Sequence, residues 1–135
     1  MARVTGIGGV FFKSDDPDAL REWYRERLGF DVQSWGGTQF LFDRRDAPGV
    51  GYTVWSPFKA DTDYFEPSDK PFMVNLRVDD LEGMLGQLRA AGAHVLDRRE
   101  DAENGKFGYL VDPEGNLLEL WEQSADDPYV PRDSA

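Results

Sequence analysis

The chain has 135 residues and no cysteine, with 40% hydrophobic side chains and a formal net charge of -11. That length suits one compact unit with a real core, and the missing thiols exclude disulfides, thiolate nucleophiles and cysteine-held zinc or iron–sulfur centres. The acidic balance repels phosphate backbones and anionic lipid, so nucleic acid and membrane are not expected partners, and a neutral or cationic small molecule suits the chain better.

The first residues, MARVTGIGGVFF, lack the basic run and the unbroken apolar stretch of a signal peptide, and no membrane-length apolar segment follows, so a soluble cytoplasmic protein is expected. Gly6 to Lys13 reads as a strand. Its glycines precede a strand instead of following one and opening a helix, so they point to close backbone packing or room for a ligand, not to a phosphate loop. A helix follows, with Asp16 as N-cap, Pro17 as first helical residue, Leu20, Trp23, Tyr24 and Leu28 at helical spacing, and Gly29 as the stop. That spacing assigns Trp23 and Tyr24 to core packing. Short strands are expected at Asp31 to Trp35, Thr38 to Asp43 and Gly51 to Trp55, with a polar turn at Asp43 to Gly49.

Ser56 to Pro71 has no periodicity yet contains Phe58, Tyr64 and Phe65, which argues for a lid or an interface. Asp61 and Asp63 read as a solvated turn, since no glycine or glutamate completes a calcium loop. From Phe72 the order begins again: a strand to Val78, a cap at Asp79-Asp80, a helix with Leu81, Met84, Leu85 and Leu88 on one face, and a stop at Gly92. Strands His94 to Arg98, Lys106 to Asp112 and Asn116 to Glu122 complete it, and the polar end from Gln123 is expected to fray. Asp112, Pro113 and Gly115 stand in the order a type I turn favours. In the strand beyond, Leu117, Glu119 and Trp121 share one face while Leu118 and Leu120 share the other. A carboxylate between two large apolar neighbours marks Glu119 for chemistry.

The halves repeat. VFFKSDD at Val10 to Asp16 matches VNLRVDD at Val74 to Asp80, and GVGYTVW at Gly49 to Trp55 matches GNLLELW at Gly115 to Trp121, pairing Thr53 with Glu119 and Trp55 with Trp121. The expectation is an α+β fold of two βαβββ modules, 4–58 and 72–122, joined by a loop at 56–71 and followed by a polar tail at 123–135. Each module's bare sheet face must be buried, so the two curl as a mixed sheet around a shared cleft, with the helices outside.

Trp23-Tyr24-Arg-Glu-Arg-Leu28-Gly29-Phe30, the Val78-Asp79-Asp80-Leu81 junction and Asp112-Pro-Glu-Gly-Asn116-Leu-Leu-Glu119-Leu120 resemble the vicinal oxygen chelate superfamily of glyoxalases, extradiol dioxygenases, fosfomycin-modifying enzymes and bleomycin-resistance proteins. The resemblance implies a cleft in which metal-dependent members hold a divalent ion. Alignment puts the corresponding positions at Gly9, Thr53 or its neighbours, Met73 and Glu119, of which Glu119 alone has a competent donor. No metal ligand set and no cofactor are therefore assigned, and His94, on the counterpart of Asp31, reads as a surface or edge residue.

Three small-molecule functions remain open, beside an interaction-only role in which the aromatic loop serves a dimer interface. The first is a metal-free binding protein resembling the bleomycin-resistance branch, in which Phe11, Trp55, Phe58 and Trp121 stack on a neutral or cationic aromatic compound, with Thr53, Met73 and Asn75 also lining the cleft. The second is a metal-free enzyme with Glu119 as general acid or base and Asn75 orienting a carbonyl. The third is a metal-dependent lyase or dioxygenase completed by a ligand such as Gln39 or Asp63. The resemblance further implies a homodimer.

Overall fold

The computed structural model describes residues 1–41 and 51–128, the side chains of Arg27 and Leu28 excepted. The turn expected at Asp43 to Gly49 and the end of the strand before it lie outside these residues, as does the tail from residue 129.

The elements are β1 (Val4–Ser14), α1 (Pro17–Leu28), β2 (Thr38–Leu41), β3 (Tyr52–Lys59), β4 (Phe72–Val78), α2 (Leu81–Ala90), β5 (His94–Ala102), β6 (Gly105–Val111) and β7 (Leu117–Gln123). Among the described residues the strands form one mixed, open, seven-stranded sheet in the order β2-β3-β1-β4-β7-β6-β5. The architecture is α+β, and no described helix is long and apolar enough to cross a membrane.

Local chemistry sets both helices. Asp16 Oδ1 accepts from the Ala19 N–H at 3.1 Å, and Asp80 Oδ1 accepts from the Gly83 N–H at 3.0 Å. Each thereby satisfies an amide that the first turn would leave without a partner. Gly29 ends α1 in the left-handed region with φ 71°, a conformation that costs a residue lacking Cβ little. Helix α2 buries Leu81, Met84 and Leu85 against Leu120, Leu110 and Val78, with Leu118 at the margin. That core lies on the outer side of the sheet, on the face to which the alternation along β7 assigned Leu118 and Leu120.

The stretch Asp31 to Trp35 is not a strand. The Gly36 N–H donates to Gln33 O and the Gln33 N–H to Gly37 O, while Arg21 Nε donates to Gly36 O at 2.5 Å. A closed turn held from α1 uses the groups a strand needs for its ladder. Tyr24 packs as expected, its ring 4.5 Å from that of Trp55, but Trp23 is half exposed. The expected strand ending at Trp55 runs on to Lys59, paired with β1. The polar end is not frayed over its described part, since Ser124 Oγ donates to Glu103 O and buried Asp127 accepts from the Tyr52 hydroxyl at 2.5 Å.

Candidate functional site

The sheet's central pair decides what faces the cleft. Strands β1 and β4 run antiparallel with Val10 opposite Val74, the same residues that the repeat equates, so a local two-fold axis passes between them. On the outer strands, Ser56 lies beside Phe11 and Glu119 beside Asn75. The axis therefore equates Phe11 with Asn75, Ser56 with Glu119, and Phe58 with Trp121. All six line one cavity of about 580 Å³.

This register corrects the sequence alignment of the last strands. Thr53 and Trp55 had been matched to Glu119 and Trp121, but their true counterparts are Ser56 and Phe58, an odd-numbered slip. Because strand side chains alternate, an odd slip carries every residue to the opposite face. Thr53 instead donates its hydroxyl to Ile7 O, and Trp55 packs between Phe12, Tyr24 and Phe30 beneath α1. Neither lines the cavity. Met73 also lies away from it, fully buried among Phe11, Phe65, Tyr109 and Leu117. Phe11, Phe58, Asn75, Glu119 and Trp121 are brought together at the cleft.

Glu119 is 2% exposed on the cavity floor. Asn75 Nδ2 donates to its Oε1 at 2.7 Å, and the hydroxyls of Tyr64 and Tyr109 approach its Oε2 at 2.6 and 2.8 Å. Burial pushes the carboxyl above the ordinary range against the opposing pull of those hydrogen bonds. Burial and the neighbouring carboxylate raise both phenols above the ordinary tyrosine value. The hydroxyls also touch each other at 2.8 Å and reach Glu100 Oε2 at 3.1 and 2.9 Å. Arg98 backs the pair, its guanidinium carbon 4.4 Å from the centre of the Tyr64 ring and 4.0 Å from that of Tyr109.

Trp121 closes one wall, stacked on Phe107 with 3° between the planes, its indole N–H donating to Asn104 O at 2.9 Å. Tyr52, Phe58 and Phe11 form other walls, with Trp35, Lys59 and Asp61 among the remaining lining residues. The loop expected to form a lid or an interface folds down onto the site, with Phe65 fully buried and Tyr64 on Glu119.

Tyr64, Tyr109, Glu100 and Arg98 were not singled out as site residues from the sequence. Tyr109 had a usable signal: the Asp112–Gly115 turn sets the hairpin, and counting outward from it places Tyr109 opposite Glu119. Tyr64 had none, because no ladder runs through its loop. His94 is exposed at the start of β5. Asp61 and Asp63 are exposed, and no described group of three or more histidines or carboxylates is arranged to hold a metal ion.

The glyoxalase-like domain model matches residues 9–121, and the chain belongs to that family, within the vicinal oxygen chelate superfamily. Among solved structures, a Streptomyces coelicolor methylmalonyl-CoA epimerase variant in complex with 2-nitronate-propionyl-CoA is 20% identical with a TM-score of 0.64, covering 96% of this chain and 100% of that one. The Mycobacterium tuberculosis methylmalonyl-CoA epimerase is 21% identical with a TM-score of 0.57, covering 90% and 89%. A Vibrio splendidus 12B01 member of the glyoxalase/bleomycin resistance protein/dioxygenase superfamily is 14% identical with a TM-score of 0.55, covering 91% and 100%. These likenesses establish the fold. Comparison with curated protein sequences returns no match.

Proposed function

We propose that this chain binds a small, flat, neutral or cationic aromatic compound in the cleft, in the manner of a sequestering protein, and does so without a metal ion. The observation that carries the reading is the lining: Phe11, Tyr52, Phe58, Tyr64, Phe107 and Trp121 surround a cavity of about 580 Å³ with Glu119 and Asn75 on its floor. That size and mixture, apolar walls with few polar groups, characterise small-molecule sites. The net charge of -11 opposes polyanionic ligands such as the coenzyme A ester bound by the Streptomyces neighbour.

The donor set speaks against a resident divalent ion. The four positions related by the local two-fold axis are Phe11, Ser56, Asn75 and Glu119, a phenyl ring, a hydroxyl, an amide and one carboxylate. That carboxyl already has Asn75, Tyr64 and Tyr109 within hydrogen-bond distance. Catalytic sites of such ions ordinarily use three strong protein ligands.

The test is a fluorescence titration with a panel of aromatic cations and neutral aromatics, since Trp35 and Trp121 line the cavity. Saturable quenching that weakens in Phe58→Ala, together with elemental analysis showing no stoichiometric metal after reconstitution, is the expected result. A flat response across the panel sinks the reading. A second reading, proton transfer by Glu119, is favoured by its seat between two phenols at the cavity floor. It requires turnover that survives a chelator and disappears in Glu119→Gln.

A further inference from the structure

Four oxygens at and behind the cavity floor make more contacts than their protons can fill. Glu119 Oε2, the Tyr64 and Tyr109 hydroxyls and Glu100 Oε2 approach one another at 2.6, 2.8, 2.8, 3.1 and 2.9 Å. Each phenol brings a single proton and an ionised carboxylate brings none. Two protons over these five contacts leave three pairs of oxygens facing each other at hydrogen-bond distance, and toward buried Glu119 that repulsion is poorly screened.

A third proton on Glu119 Oε2 cuts the contacts without a proton from three to two, Glu119 to Tyr109 and Tyr64 to Glu100. Glu119 then donates to Tyr64, Tyr64 to Tyr109, and Tyr109 to Glu100, a chain pointing one way. Oε1, which accepts from Asn75 Nδ2 at 2.7 Å, is the oxygen left as the carbonyl. The chain ends on a Glu100 side chain that is 45% exposed, so its far end meets water while its near end lines the cavity.

We propose that Glu119 carries this proton while the cavity is empty, and that a cationic aromatic ligand displaces it along Tyr64 and Tyr109 to Glu100 and water. The carboxylate left behind is the ligand's counter-charge. The proposal rests on the reading that the cavity takes a small aromatic compound, and it narrows that class to cations. The step is charge-balanced: the Glu119 O–H bond breaks, each phenol accepts one proton as it passes its own onward, and one proton leaves as one positive charge enters. A buried carboxylate without a partner is costly, so the proton departs only when a cation arrives.

The groups around this carboxyl fit that role. From the loop before β4 comes Tyr64, from β6 Tyr109, from β5 Glu100 and Arg98, and from β4 the uncharged Asn75. Arg98 donates from Nη1 to Tyr64 O at 2.9 Å and lies 3.9 Å from Glu100 Oε1 through Nη2, so it holds the phenols and the outlet in register. Arg77 lies beyond Trp121, 5.7 Å from the centre of its ring.

The experiment is isothermal titration of the full chain with N-methylacridinium, a permanent aromatic cation, and with acridine, which is neutral at neutral pH. Each is run in buffers of different ionisation enthalpy so that protons exchanged per ligand are counted. About one proton released per N-methylacridinium and none per acridine is expected, with cation affinity rising by up to about tenfold per pH unit. Glu119→Gln should abolish the release and weaken the cation by roughly tenfold or more, a larger loss than it causes for acridine. Glu100→Gln removes a neighbouring like charge and should move the release midpoint to lower pH. Cation binding without proton release leaves the aromatic cavity standing and overturns the proton path. Failure of both dyes to bind overturns the path and the cavity reading together. The proton count on the unaltered protein decides the matter even where a variant fails to fold.

Discussion

Asn75 and Glu119 stand side by side on the parallel strands β4 and β7, and the Asn75 amide donates to the carboxylate at 2.7 Å. The other atom of that amide, Asn75 Oδ1, is buried with no hydrogen-bond partner among the described residues and lies against the backbone of Gly8. A methyl group at Gly8 would fall on this oxygen and crowd the Trp121 ring. Gly8→Ala is therefore expected to cost about 1–3 kcal/mol and to push Asn75 off Glu119. Urea unfolding measures the first effect and the indole fluorescence maximum reports the second; a variant matching the parent in both would show that β1 yields more freely than this contact implies.

The two tryptophans that the repeat equated should behave differently. Trp55 packs under α1 on Tyr24 and Phe30, so Trp55→Ala is expected to lower stability by roughly 2–4 kcal/mol without altering affinity for a cavity ligand in the protein that remains folded. Trp121 is 2% exposed and forms a cavity wall, so Trp121→Phe should weaken ligand binding even where stability holds. Paired thermal melts and dye titrations separate the cases.

Glu119 sets a pH dependence of stability whose sign follows from burial. Its folded pKa is raised, so above the unfolded value near 4.3 the native chain keeps a proton that the unfolded chain has released. Stability from this group is complete at low pH and declines as pH rises toward the folded value, by up to about 1.4 kcal/mol per pH unit. Glu119→Gln should flatten that part of the profile, which denaturant titrations at a series of pH values would reveal.

Asp112 acts in the opposite direction. Its carboxylate accepts from the Asn116 side chain at 2.8 Å and from the Asn116 and Glu114 backbone amides at 2.9 Å each, and those hydrogen bonds, the Asn116 side chain first, hold its pKa below the ordinary value. Its contribution is present above the unfolded value and is lost as pH falls through the lowered folded one. Asp112→Ala should lower the melting temperature at neutral pH and shrink the difference from the parent in acid. A constant difference across pH would assign the effect to turn geometry alone.

The hairpin at Asp112 shows what local order carries. Asp112, Pro113 and Gly115 announced the turn, the Gly115 N–H donates to Asp112 O as that turn requires, and the alternation beyond it correctly set Leu117, Glu119 and Trp121 on the face opposite Leu118 and Leu120. Both helix starts were legible for the same reason, because Asp16 and Asp80 cap amides only three positions away. Asp31 to Trp35 was misread because its backbone groups bond to its own turn and to Arg21, and contacts from another element leave no periodic trace.

The sequence by itself determined the α+β class, the paired modules, the family likeness and Glu119 as the residue to watch, since capping, turn chemistry and strand alternation act over a few neighbouring residues. Only the tertiary structure decided that Ser56 and Phe58, not Thr53 and Trp55, answer Glu119 and Trp121, and that Tyr64, Tyr109 and Glu100 close around the carboxyl. Register between distant strands and the seat of a loop are fixed by packing across the whole sheet, where a slip of one residue turns a face inside out.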